Sequence, residues 1–165
     1  MRKLLLWITA LAVVFMCFAV LPLIHKAAAA DGAKPTDGWT VHIDAEKHFG
    51  DNPTEVAHHY CRNVAGGWLE CQIYDSDRAD AHLVGIETIV PPAIYKKLPA
   101  NEQALWHWHK TEIPKVNATM PGMSPDEQKK MVAKISDTYG KVYIIFDPVS
   151  TNALPLGNPT VTILK

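Results

Sequence analysis

Residues 58–75, His-His-Tyr-Cys-Arg-Asn-Val-Ala-Gly-Gly-Trp-Leu-Glu-Cys-Gln-Ile-Tyr-Asp, constrain the fold more than any other stretch. They read as one β-hairpin. The first arm ends near Val64, Ala65-Gly66-Gly67 supplies the permissive backbone of a tight reversal, and the second arm runs over residues 68–74, rich in aromatic and β-favouring side chains. A turn centred on Gly66 sets Cys61 opposite Cys71 and His59 opposite Ile73. Side chains alternate along a strand, so His59 and Cys61 share one face while His58 and Tyr60 take the other.

The N-terminus reads as a targeting segment. Arg2 and Lys3 precede an apolar run over residues 4–24, and Ala27-Ala28-Ala29-Ala30 offers the small residues of a cleavage site, placed here after Ala30. The run is long for a signal peptide, so an uncleaved membrane anchor is the rival reading. Cys17 follows Met16 rather than a small residue and belongs to the apolar run. Cleavage divides the chain into a leader (1–30), a lead-in (31–55) and one domain (56–165), delivered to the periplasm or the outside. It also removes three basic residues and no acid, leaving 13 Lys and Arg against 17 Asp and Glu, a net charge of −4. That balance argues against a nucleic-acid partner and against electrostatic binding to anionic lipid. The two remaining cysteines would meet an oxidising compartment, where a cross-strand Cys61–Cys71 bridge closing a short loop contributes about 2–3 kcal/mol.

Along the rest of the chain, residues 39–43 read as a short strand, and His42, Asp44, Glu46 and His48 follow at alternate positions that would share a face on a strand. Asp75-Ser76-Asp77 reads as a solvated acidic turn, without the glycine and distal glutamate of a calcium loop. Residues 81–90 form a central strand, nearly continuously apolar apart from His82 and Glu87, ended by Pro91-Pro92. A helical stretch begins at Pro99 and brings Leu98, Leu105, Trp106 and His109 near one face; Thr111-Glu112-Ile113 reads as extended. Ser124-Pro125-Asp126-Glu127 is a capping box that opens a helix reaching about Thr138, with Met131, Val132 and Ile135 inward. Strands follow at 141–146 and 160–164. The fold expected is a single α+β domain, a mainly antiparallel sheet with two or three short helices.

The ordered motifs resemble a known family. His-His-Tyr-Cys at 58–61, Gln-Ile-Tyr-Asp after Cys71, Leu-Val-Gly-Ile-Glu at 83–87, Leu-Pro at 98–99, Leu-Trp-His-x-His at 105–109, Tyr-Gly-Lys at 139–141 and Leu-Pro-Leu-Gly-Asn-Pro at 154–159 follow the order of the oil-body-associated protein family, a family of unknown function. The chain resembles a bacterial-type, exported member, over residues 56–164. The resemblance implies lipid-droplet association for plant members and no established chemistry. Plant members without an export signal resemble this chain in the cysteine pair, so the pair need not serve secretion alone. Family members carry a Trp-His pair after Tyr-Gly-Lys where this chain has Tyr143 and Ile144, so a family mechanism that used that histidine would be lost or altered here.

Three kinds of function fit these residues. The first-placed reading is a non-catalytic module binding lipid or a small apolar ligand, with Trp68, Trp106 and Trp108 lining a pocket or a patch, or simply packing a core. The alternative is a metal-binding protein or metal-dependent enzyme. Its candidate ligands are His58, His59, Cys61, Cys71, Glu87, His107 and His109, types suited to a divalent metal such as zinc. His107 and His109 would face one metal together on a strand, whereas on a helix they point about 200° apart. The third reading is a metal-free enzyme with Glu87 or His59 as general base, Glu87 being the candidate catalytic residue because an apolar strand would raise its pKa. Against each stands a structural role: histidines bonded at the core edge, a disulfide, and a Glu87 paired with His82, Arg62 or a lysine.

Overall fold

The structure is a computed structural model and describes residues 34–50 and 52–163. The leader, Cys17 and the cleavage site lie outside the described residues. Among the described residues no helix is long and apolar enough to cross a membrane.

Among the described residues, seven antiparallel strands form one sheet: β1 (Val41–Ala45), β2 (Ala57–Val64), β3 (Trp68–Tyr74), β4 (Leu83–Val90), β5 (His107–Trp108), β6 (Tyr139–Ile144) and β7 (Thr160–Thr162). Their order is β1-β2-β3-β4-β6, and the far edge of β6 is shared by β5 at Tyr139 and Gly140 and by β7 from Val142 to Ile144. The hairpin has the register its turn dictates: Cys61 pairs with Cys71 and His59 with Ile73. Gly66 and Gly67 both hold positive φ, and a Cβ on Gly66 would collide with the Trp68 ring, so this reversal is open only to glycine.

Cys61 and Cys71 are joined by a disulfide and are fully buried. This settles the alternatives left open for the pair: sulfurs bonded to each other leave no thiolate to offer a metal. The bridge is expected to contribute about 2–3 kcal/mol through the short loop it closes. Urea melts with and without reductant should therefore show a lower midpoint after reduction; coincident curves would contradict this.

Among the described residues there are four helices, α1 (Pro92–Tyr95), α2 (Ala100–Gln103), α3 (His109–Glu112) and α4 (Pro125–Ser136), with a 3-10 turn at Ile113–Lys115. The Ser124/Glu127 capping box is present in full and opens α4, which turns Ile135 into the core and leaves Met131 and Val132 half-buried against it. Residues 111–113 are helical rather than extended. The helical phase expected from Pro99 onward is interrupted at His107 and Trp108, which pair with β6 before the chain turns helical again at His109. Local periodicity lost there to backbone pairing with a strand about thirty residues away. Two apolar clusters lie within the fold, one around Ile73, Val142 and Ile144, the other around Ile43, Ile89 and Ile135.

Candidate metal centre

Glu87 is the middle of the site. It sits on β4, opposite Cys71 on one side and Val142 on the other, on the face that carries the disulfide and Ile89. That parity buries its carboxylate. Three histidines meet it from separate elements. His109 Nε2 lies 3.1 Å and His107 Nε2 3.4 Å from Glu87 Oε1, and His59 Nε2 lies 3.8 Å from Oε2. His48 packs edge-on against His59, ring centroids 4.7 Å apart. All four histidines are buried.

The outward-facing nitrogens determine what the inward-facing ones can do. His59 Nδ1 donates to the carbonyls of Ala57 (3.0 Å) and Ile43 (3.1 Å). His48 Nδ1 donates to the Glu46 carbonyl at 2.9 Å. His109 Nδ1 lies 2.8 Å from Thr138 Oγ1, whose own hydrogen goes to the Ile135 carbonyl, so here too the ring nitrogen donates. Carbonyl oxygens only accept, so the hydrogen of each neutral ring sits on Nδ1. Each Nε2 then presents a lone pair, and those of His59 and His109 point at a carboxylate. Lone pairs facing an ionised carboxylate repel unless a cation or an extra proton stands between them. This outer-shell locking of the tautomer is what metal-binding histidines show.

Burial holds His48 neutral, its pKa pushed down to about 3, with neighbouring His59 adding to the shift. Burial likewise lowers His59. The raised pKa expected for Glu87 is not what the site gives: burial by itself would raise it, but hydrogen bonds from His107 and from a His109 that carries the extra proton outweigh burial and hold the carboxylate well below its ordinary range. Among the described residues, Glu87 pairs with histidines alone. Lys141, also buried, turns its Nζ to Glu102 at 2.6 Å.

Beside the carboxylate is a cavity of about 40 Å³, walled by Ile43, Ile89, Ile113 and Ile135 together with the histidines and Glu112. It has room for an ion and a water-sized ligand, and not for a substrate of ordinary size. Glu112 is buried with its Oε2 unpartnered. Gly140 lies against two of these groups: a Cβ there would overlap Glu87 Oε1 and His107 Nε2.

Of the residues singled out from the sequence, the fold therefore brings together His59, Glu87, His107 and His109, and sends His58 elsewhere. His58 lies on the opposite face of β2, where its Nδ1 is 2.7 Å from Asp44 Oδ1 and 2.8 Å from Asp77 Oδ1, with His42 Nε2 2.9 and 3.0 Å from the same two oxygens. The rings of His107 and His109 both turn inward although their spacing is poor for a helix, because the first ends a strand and the second begins α3. His48 and Glu112 were not among the candidates. His48 reaches the interior because β1 ends at Ala45 and Lys47 takes a positive φ of 66°, which breaks the alternation that puts His42 and Asp44 outside. Glu112 enters through the unforeseen helical turn. Trp39, Trp68, Trp106 and Trp108 are half-buried, and the large exposed apolar side chains among the described residues are instead Leu83, Ile86, Val149, Leu154, Leu156 and Ile163.

Comparison with known proteins matches residues 33–164 to a family described as a protein of unknown function, DUF1264. The chain is 34% identical over 137 residues to oil body-associated protein 1B of Arabidopsis thaliana, covering 82% of this chain and 57% of that protein. It is 33% identical over 139 residues to oil body-associated protein 2A of Zea mays, covering 83% and 55%. The chain thus spans little more than half the length of these relatives. No solved structure matches.

Proposed function

We propose that this chain, which belongs to the DUF1264 family of oil-body-associated proteins, is a metal-binding protein whose interior centre is held by Glu87, His107 and His109 with His59 alongside. The observation that carries the reading is the commitment of Nδ1–H on His59 and His109 to acceptors outside the site, which leaves lone pairs converging on a buried carboxylate. Donor atoms about 2.0–2.2 Å from one tetrahedral ion stand roughly 3.3–3.6 Å apart, close to the spacings from Glu87 Oε1 to its two histidines. Three imidazoles and a carboxylate suit zinc or another late first-row divalent metal. The ion would neutralise Glu87 and satisfy the lone pairs, and the small apolar cavity leaves it at most a water-sized ligand. That closure favours a centre that stabilises the fold or handles a very small molecule. The disulfide supports export to an oxidising compartment, with residues 1–30 as the leader. Exposed Val149, Leu154 and Leu156 support an apolar or lipid contact on the outside, separate from the metal.

Elemental analysis of protein purified without chelators tests the centre. The expected result is one tightly held metal per chain, with zinc added to the stripped protein raising Tm. Glu87→Gln keeps the shape and removes the charge, and should lose that metal. Wild-type protein that retains no metal, and whose Tm zinc does not move, would refute the reading.

A further inference from the structure

We propose a second, independent cation site on the opposite face of the sheet, formed by His42, Asp44, His58 and Asp77, which takes a divalent metal in rapid exchange with solvent. Cross-strand register builds three quarters of it: Asp44 pairs directly with His58, and His42 stands two residues along on the same face of β1. Asp77 is brought in by the turn after β3.

The four donor atoms form a closed ring. Each nitrogen faces both carboxylate oxygens and each oxygen faces both nitrogens, at 2.7 to 3.0 Å. One N–H cannot point well at two oxygens at once, and His42 Nε2, though buried, makes no hydrogen bond of acceptable geometry at these distances. A cation accounts for both features. Donors about 2.0–2.2 Å from a metal stand about 3 Å apart when they subtend a right angle. Two carboxylates also match the charge of a divalent ion, and two imidazoles select a transition metal over calcium or magnesium.

The surroundings hold the ligands in place. Tyr60 donates to Asp77 Oδ1 at 3.1 Å, and its ring stacks on His42 with centroids 4.5 Å apart. His42, Asp44 and His58 are four-fifths or more covered, whereas Asp77 is about half exposed. The free side of the ion therefore gives onto solvent and onto an open groove of about 370 Å³ lined by Trp39, Tyr74 and Arg78. Openness is what separates this site from the enclosed interior centre: it should load and release metal quickly.

The test is a Co2+ titration of the metal-free full chain followed by a chase with excess EDTA. Wild-type protein should bind two equivalents, one released on mixing and one released slowly. Asp77→Asn, in an exposed turn where the fold tolerates it, should lose the fast equivalent and keep the slow one. Its affinity at this site should fall by more than the roughly tenfold to hundredfold that outer-shell changes cost. His58→Gln should do the same, while Glu87→Gln should show the reverse pattern. The proposal is overturned if wild-type protein has no fast equivalent, or if Asp77→Asn and His58→Gln keep it with unchanged affinity. Loss of the slow equivalent alone would count against the interior centre and leave this site standing.

Discussion

Gly140→Ala is expected to abolish metal binding at the proposed interior centre while leaving the sheet intact. Gly140 lies in β6, paired with Ile89 on one side and His107 on the other, and its φ is not positive, so alanine meets no backbone penalty there. The obstacle is space. The added methyl would overlap Glu87 Oε1 and His107 Nε2, two of the donor atoms of the proposed centre. To relieve the overlap either the carboxylate or the imidazole must swing away, and either movement takes a donor atom off the spacing an ion requires. Overpacking of this kind typically costs about 1–3 kcal/mol, a loss a domain of this size can bear with its fold kept. The tight, slowly released metal equivalent should vanish, while the exchangeable equivalent on the other face of the sheet stays. A variant that retains one tightly held metal would remove Glu87 and His107 from the centre. The same argument gives the Tyr-Gly-Lys motif a physical meaning: its glycine leaves room for the Glu87 carboxylate and the His107 ring.

The metal-free protein is expected to lose stability steeply as pH falls below about 6.5. His48 keeps a pKa near 3 in the fold against 6.5 when exposed. Between those values the unfolded chain carries a proton on this ring that the native chain refuses, so stability declines as pH drops. At about 1.4 kcal/mol per pH unit the interval of 3.5 amounts to ~5 kcal/mol by pH 3. His59, lowered by burial, acts in the same direction. Glu87 joins below about pH 4.5, since its folded pKa is also depressed and the unfolded carboxylate protonates first. Urea denaturation of the stripped protein at a series of pH values measures the slope. His48→Gln, which keeps a donor for the Glu46 carbonyl, should flatten it between pH 6.5 and 4.5. A slope the same as wild type would show that His48 is not held neutral.

The sheet was legible because its signals are local. Gly66-Gly67 sets the hairpin register, alternation assigns His59 and His58 to opposite faces, and the Ser124/Glu127 box opens α4. Where local pattern and long-range pairing disagreed, pairing prevailed, as at His107 and Trp108, where β6 captures a segment that reads as helix. The candidate site was legible in its parts. His59, Glu87, His107 and His109 stand out by residue type, and four separated positions cannot announce that they meet.

What the sequence determined by itself is therefore the hairpin, the placement of Cys61 opposite Cys71 and the face each hairpin side chain takes, since these follow from a period of two and a glycine turn. What only the tertiary structure decided is which ionisable groups share a site. Glu87 meets His109 because β6 lies beside β4 and carries β5 on its far edge. His48 reaches the interior through one left-handed residue at Lys47. Asp77 turns from a solvated acid into a partner of His42 and His58 through the direction of a single turn. Each of these rests on contacts between residues far apart in sequence, and neither composition nor spacing encodes them.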